Sequence, residues 1–384
     1  MAYYAPLYIE HNFSSAFIVG ALLSISSTFG MFFDFFIAER LGHKKYSFFI
    51  LWMVVFAVLF PLTFLFLPAY IPLIALAMII WSVYYEFRDF SKYDFVHRFV
   101  HMDKHTVAWS VITTLQDVAY MMGPGFAVLA LSKGFKFPLY TALIFVGLTY
   151  LTFILFKRRF VSKHVVAMER HEVKKSFGHE FRVLAVLIKR LWILAVIVFS
   201  LTLSDVAFWT VGVLYAEQLR RTDPLGGLFL IVYGFPSVFI GLVAPLIYKK
   251  LGKKRTAFIF GVLTGSGLIT IALVGNIYAL LGAVFLTSSC SGISFILLSA
   301  VFEDYVARAS VVANDIVVTR QFAGNLAYAI GPIAYGFIAQ EFSLKMPFLV
   351  AGDILVLASA LAFVFVPRKI KMPQHAIKEV VAEA

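Results

Sequence analysis

Apolar stretches of about 20 residues recur from one end of this chain to the other, the length a helix needs to cross roughly 30 Å of hydrocarbon. Inside a bilayer every backbone N–H and C=O must find its partner within the protein, so segments of this kind become transmembrane helices. Composition excludes the soluble alternatives. Of 384 residues, 61% are hydrophobic and 14% charged, with a mean hydropathy of +0.89, whereas a soluble domain carries about 25% charged residues. The 42 Phe and 18 Tyr suit lipid-facing and interfacial surfaces. Cys290 is the sole cysteine, so no internal disulfide can form.

Spans read at 13–38, 47–67, 71–90, 106–130, 138–156, 191–217, 225–248, 256–274, 277–302, 313–338 and 347–366, with a short apolar stub at 2–9. This predicts eleven full helices and a remnant. Nearly all of the 33 Lys and Arg fall in alternate loops, at 40–45, 88–104, 157–190, 249–255, 308 and 368–378. The opposite loops hold Lys133, Lys136, Arg220, Arg221 and Lys345. The positive-inside rule therefore puts the C-terminus in the cytoplasm, with the chain expected in the plasma membrane. It also accounts for the net charge of +12 without a nucleic-acid partner: topology and anionic lipid explain the basic residues of 157–190. That segment is the only long polar stretch and reads as a cytoplasmic linker between an N-terminal half, 1–156, and a C-terminal half, 191–366, followed by a tail, 367–384. Within it, 177–188 is amphipathic and expected along the membrane surface.

The halves repeat one another. Leu7, Tyr8 and Glu10 match Leu214, Tyr215 and Glu217; Leu41, Gly42, His43, Lys44 and Lys45 match Leu251, Gly252, Lys253, Lys254 and Arg255; Ala119, Tyr120, Gly123 and Pro124 match Ala327, Tyr328, Gly331 and Pro332. The offsets stay close to 208 residues, as short loop insertions after a duplication predict. Leu214 is preceded by a long apolar run and Leu7 by six residues, so most of the first helix is expected to be missing, with Met1 an internal methionine of a longer product.

These residues resemble the major facilitator superfamily, whose members have two six-helix halves joined by a cytoplasmic loop. The family's signature between helices 2 and 3 runs Gly-x-x-x-Asp-Arg-x-Gly-Arg-Lys. Phe35, Glu39, Arg40, Gly42, His43 and Lys44 occupy its positions, followed by Lys45. Phe35 replaces the first Gly, Glu39 the Asp and His43 the second Arg. Gly42 would permit a tight turn, Glu39 would meet a helix dipole or a cation, and the basic cluster would meet anionic lipid. The resemblance gives these groups, with Asp34 and Gly252, to gating. Gly123-Pro124 resembles the core of the family's antiporter motif, where glycine and proline reshape the helix, and so points to export; a packing kink is the plainer alternative. The arginine that drug exporters of the family carry in helix 4 has no counterpart within 71–85. The implied fold is all-α, with two pseudo-symmetric six-helix halves.

A charged side chain at a helix centre costs roughly 2.5–3.5 kcal/mol on insertion scales, so each one needs a reason. Asp205 lies near mid-membrane in the seventh helix and leads the candidates: it can exchange a proton as the cavity opens to each side, or neutralise a cationic solute. A hydrogen-bonded structural Asp is the alternative. Asp117, beside Gln116 and one turn from Tyr120, is a second candidate. Arg320, with Gln321, can bind an anionic group or pair with Asp117 or Asp34. Glu303 and Asp304 are assigned to a gate, and Asp353 has no assigned role. Trp109, Trp209 and Tyr328 can stack on a solute, though packing explains aromatic residues at helical spacing as well. His97, His101 and His105 beside Asp103 read as a titrating cytoplasmic turn in preference to a metal site. Gly261, Gly265 and Gly267 suit close packing of the ninth helix.

Nothing calls for a cofactor or a resident metal. The expected partners are a small solute, protons and the bilayer, handled by a monomer. A secondary active transporter working by alternating access explains the repeat and the intramembrane charges together. A uniporter would leave those charges structural. A lipid-modifying membrane enzyme would need a catalytic cluster that the sequence lacks.

Overall fold

The computed structural model describes residues 1–41, 44, 46–100, 105–157, 177–247, 251–308 and 313–366. Side chains within these are described except at 34–36, 38, 39, 46, 97–99, 105–107, 110, 177–190, 245, 306–308, 313–315, 317 and 318. All regular structure among the described residues is helical. Among the described residues, ten segments are long and apolar enough to cross a membrane, and the chain is an integral, multi-pass membrane protein. It divides into two units, Met1–His171 and Glu172–Ala384.

The first unit holds α1 (Tyr4–Phe13), α2 (Ala16–Phe36), α3 (Tyr46–Phe66), α4 (Ile71–Phe99), α5 (His105–Leu131) and α6 (Phe137–Phe156). The stub expected at 2–9 is α1; it ends at Ser14, whose φ of 49° is left-handed, and it packs on α2. α2 runs into a π-helical turn, Ile37–Leu41. α5 is 27 residues long but falls outside the ten apolar segments, because its first half carries Ser110, Thr113, Thr114, Gln116 and Asp117. α4 packs on α2, α3 and α5. Ile37, Phe49, Val83 and Phe87 form a buried knot between these helices, walled by Phe29, Phe33, Phe48, Phe56 and Phe90. The third span was expected to stop at residue 90, where charges begin. As α4 it continues to Phe99, since Arg88, Asp89 and Lys92 bond within the fold and need no loop to solvate them.

The second unit holds α7 (Phe177–Trp209), α8 (Val211–Thr222), a 3₁₀ turn (Pro224–Leu228), α9 (Phe229–Gly234), α10 (Ser237–Ile247), α11 (Lys253–Leu273), α12 (Ile277–Arg308), α13 (Ala313–Glu341) and α14 (Met346–Phe365). Two expectations change here. Residues 177–188 are the opening of α7 and not a separate surface helix. The expected spans 191–217 and 225–248 are each broken. α7 stops at Thr210, whose φ of −105° and ψ of −86° are not helical. The next span is interrupted at Phe235-Pro236, where proline supplies no N–H.

α7 packs against α13 and α14, and α11 lies between α12 and α14. The α11 contacts depend on small residues. A Cβ on Gly265 would stand 2.7 Å from the Gly352 carbonyl oxygen, and one on Gly352 would stand 2.6 Å from that of Gly265. Ser294 Oγ donates to the Ala257 carbonyl at 2.8 Å across the α11–α12 contact. Such close backbone approach replaces the hydrophobic drive that lipid does not provide. Before α11, Gly252 takes a φ of +83°, a left-handed turn that side-chain-bearing residues resist. Its neighbours are then aimed at α12. Lys253 Nζ donates to both Asp304 oxygens, at 2.7 and 2.9 Å, and Lys254 Nζ donates to the Tyr305 hydroxyl at 3.1 Å.

Candidate functional site

Asp205 sits one turn before the break at Thr210 and is half-buried. Its carboxylate accepts hydrogen bonds from three side chains on three different helices. Tyr233, on the short helix α9, donates its hydroxyl to Oδ1 at 2.5 Å, and Tyr328, on α13, donates to Oδ2. Trp209, one turn along α7, is the third donor. Each tyrosine is fixed from behind. The Tyr233 ring stacks on Phe208 with centroids 3.8 Å apart and planes 15° from parallel, and its carbonyl accepts from Ser288 Oγ at 2.5 Å. Phe208 is itself enclosed by Phe229 and Phe348. Tyr328 reaches α7 because Gly331, one turn on, has no side chain: a Cβ there would lie 2.9 Å from both Leu203 Cδ2 and Val206 Cγ1.

The electrostatics of this cage follow from what the donors are. All three are neutral, and among the described residues no basic side chain pairs with Asp205. A carboxylate so placed has its oxygens satisfied but its charge uncompensated by any basic side chain among the described residues. Arg320, eight residues before Tyr328, is engaged elsewhere: one terminal nitrogen donates to Ser299 Oγ at 2.8 Å and the guanidinium lies 5.5 Å from the Phe295 ring centre, both on α12. Gln321 is exposed.

Leucine at position 331 is expected to force α13 off α7, costing about 1–3 kcal/mol by overpacking and pulling Tyr328 from Asp205. A Cβ on Gly123, its repeat counterpart, would meet nothing within 4 Å, so Gly123→Leu is the matched control. Thermal unfolding in detergent, together with transport, should separate the two variants, and equal behaviour would remove the packing explanation. Pro124 and Pro332 are both buried inside helices that continue through them.

In the first unit, Tyr120 and Gln116 do not gather around Asp117 as their spacing suggested. Asp117 is half-buried and makes no hydrogen bond or ion pair among the described residues. Tyr120 instead accepts from an Arg88 terminal nitrogen at 3.2 Å, and Gln116 Oε1 accepts from Lys92 Nζ at 3.2 Å. Arg88, Asp89 and Lys92 were missed because they read as loop charges beyond the third span. The signal lay in their spacing: Trp81, Tyr85, Arg88 and Lys92 recur every three or four residues, the period of one helical face.

Of the signature-loop residues, the side chains of Asp34 and Glu39 and the whole of Gly42 and Lys45 lie outside what the structure describes, as do the side chains of His97, His101, Asp103 and His105. Arg40 is exposed in the π-helical turn, and Lys44 Nζ lies 5.9 Å from the Phe48 ring centre. Trp109 packs on Tyr93 with centroids 4.8 Å apart. Asp353 is exposed on α14.

A family model described as the Major Facilitator Superfamily matches residues 194–381. Among solved structures, the chain is similar to a mutant of the nucleoside transporter NupG, with a TM-score of 0.72 and 12% identity, over 95% of this chain and 96% of that one. At that identity the likeness is one of fold. A search of curated proteins finds no match.

Proposed function

We propose that the chain, whose residues 194–381 match the model of the major facilitator superfamily, is a proton-coupled secondary transporter of that family, exporting a small solute by alternating access. One observation carries the coupling: Asp205 is held by three neutral donors with no cationic partner among the described residues. A proton is the smallest ion that removes the charge, and removing it weakens the bonds from Tyr233, Tyr328 and Trp209 together, because hydrogen bonds to an ionised acceptor are roughly twice as strong as those between neutral groups. The cage joins α7, α9 and α13 across two helix breaks, so protonation is translated into relative freedom of those elements. In transporters, interrupted helices of this kind accompany substrate and ion sites. Asp117, half-buried and without a partner among the described residues, is the second group able to exchange a proton. The distribution of basic loops supports a cytoplasmic C-terminus, and the proposal takes the protein as a monomer in the plasma membrane.

The test is a solute screen in proteoliposomes containing nucleosides, organic anions and organic cations, with and without an imposed proton gradient. Coupling predicts that flux of at least one solute follows the gradient. Flux that is real but indifferent to the gradient would make the protein a uniporter with Asp205 structural.

A further inference from the structure

A second group of charges lies in the first unit, and the Asp205 cage leaves it without a role. Arg88, Asp89 and Lys92 share α4, about 26–32 Å along the helix from Ile71 at a rise of roughly 1.5 Å per residue. Their surroundings treat the cations and the anion differently. The Arg88 guanidinium lies over the Tyr85 ring, 4.3 Å from its centre, and donates to the Tyr120 hydroxyl at 3.2 Å; Tyr84 also bonds to it. Tyr85 is itself bonded to Tyr120 and backed by Trp81, with ring centroids 4.9 Å apart. Lys92 is steadied by Gln116 on α5. The two cations are thus set in place by neutral groups from two helices.

Among the described residues, Asp89 is held by the cations alone. Arg88 Nε donates to its Oδ1 at 2.9 Å, Lys92 Nζ forms an ion pair with the same oxygen at 2.7 Å, and Oδ2 bonds to nothing among the described residues. Its side chain is 40% exposed, against 20% and 22% for its partners. The bond to Arg88 joins adjacent residues, which point to different sides of a helix and cannot meet face to face. A pre-set pair of cations therefore holds a carboxylate by one oxygen in a geometry that a better-placed oxyanion would improve. With two positive groups and one negative, the cluster carries one positive charge to spare, and buried guanidinium is the group best shaped to take two oxygens at once.

We propose that Arg88 and Lys92 form an oxyanion subsite for the transported solute, with Asp89 as the resident carboxylate that a solute carboxylate or phosphate displaces. This rests on the reading of the chain as a solute transporter and names the class of solute. It is independent of whether Asp205 carries the proton.

The experiment is equilibrium binding to the full-length protein in phosphatidylcholine nanodiscs, with radiolabelled benzoate and inorganic phosphate as probes and benzylamine as the cation of matching ring. Benzoate, phosphate or both should bind and benzylamine should not. Affinity should fall about tenfold or more in Arg88→Gln and in Lys92→Gln, and should rise severalfold in Asp89→Asn, because removing the placeholder frees both cations. Thermal unfolding of each variant identifies any that fails to fold, and Asp89→Asn decides if both cation variants do. Affinity unchanged in folded Arg88→Gln, or weakened in Asp89→Asn, overturns the proposal. So does loss of benzoate binding on exchange into phosphatidylglycerol nanodiscs, which would make a lipid headgroup the occupant. Gradient-driven flux of other solutes with no oxyanion binding would overturn this inference and leave the coupling standing.

Discussion

Asp205→Asn is expected to abolish the dependence of transport on a proton gradient while leaving the protein folded. The amide keeps the shape of the carboxylate and can still accept from Tyr233 or Tyr328, but it neither carries the charge nor exchanges the proton. Losing a charge-assisted interaction of roughly 1.5–3 kcal/mol lowers gradient-driven flux by about 10- to 100-fold. Tyr233→Phe and Tyr328→Phe each remove one donor and keep the ring, so each should fall between the parent and Asp205→Asn. Proteoliposome flux measured with and without an imposed gradient distinguishes the cases. Should Asp205→Asn retain full gradient-driven flux, and Asp117→Asn as well, neither carboxylate couples the cycle.

Leucine at position 265 should have the largest effect on folding. Where α11 crosses α14, the nearest atoms to a Cβ on Gly265 include the Gly352 carbonyl oxygen at 2.7 Å and the Val356 backbone nitrogen at 3.0 Å. Backbone cannot turn aside as a side chain can, so the helices must separate, at a cost of about 3 kcal/mol or more. A Cβ on Gly282, in α12, would meet nothing within 4 Å, and Gly282→Leu should be tolerated. Thermal unfolding and size-exclusion profiles in detergent compare the two. Similar profiles for both variants would show that the α11–α14 crossing is not what holds that part of the fold.

Much of this arrangement could be read from the sequence, for reasons that also explain where reading stopped. Hydropathy locates helices because lipid allows few alternatives, and a lone Asp in such a helix is conspicuous by its cost, so Asp205 was visible. Tyr328 was visible through its match to Tyr120. Tyr233 was not: a tyrosine in an apolar run has no distinguishing pattern, and its role depends on Phe208 and Ser288, which tertiary packing brings to it. Arg88 was hidden by the same hydropathy that found the helices, because a span is judged to end where charges begin, while a charge bonded within the fold lets the helix run on. The breaks at Thr210 and Pro236 fell inside stretches apolar enough to be read as continuous. Arg320 was expected to bind an anion or to pair with Asp117 or Asp34; its contacts include the Ser299 hydroxyl and the Phe295 ring, and the Asp34 side chain lies outside the described residues.

Tyr120 and Tyr328 occupy matching positions of the sequence repeat, yet one accepts a hydrogen bond from a guanidinium and the other donates its own to a carboxylate. A phenol is amphoteric as a hydrogen-bond partner. A tyrosine at this position can therefore serve a cation in one unit and a carboxylate in the other without a change of identity. The charges come from different places along the chain, Arg88 from the expected span 71–90 and Asp205 from 191–217, so two chemically unlike centres share nothing but the position of a hydroxyl.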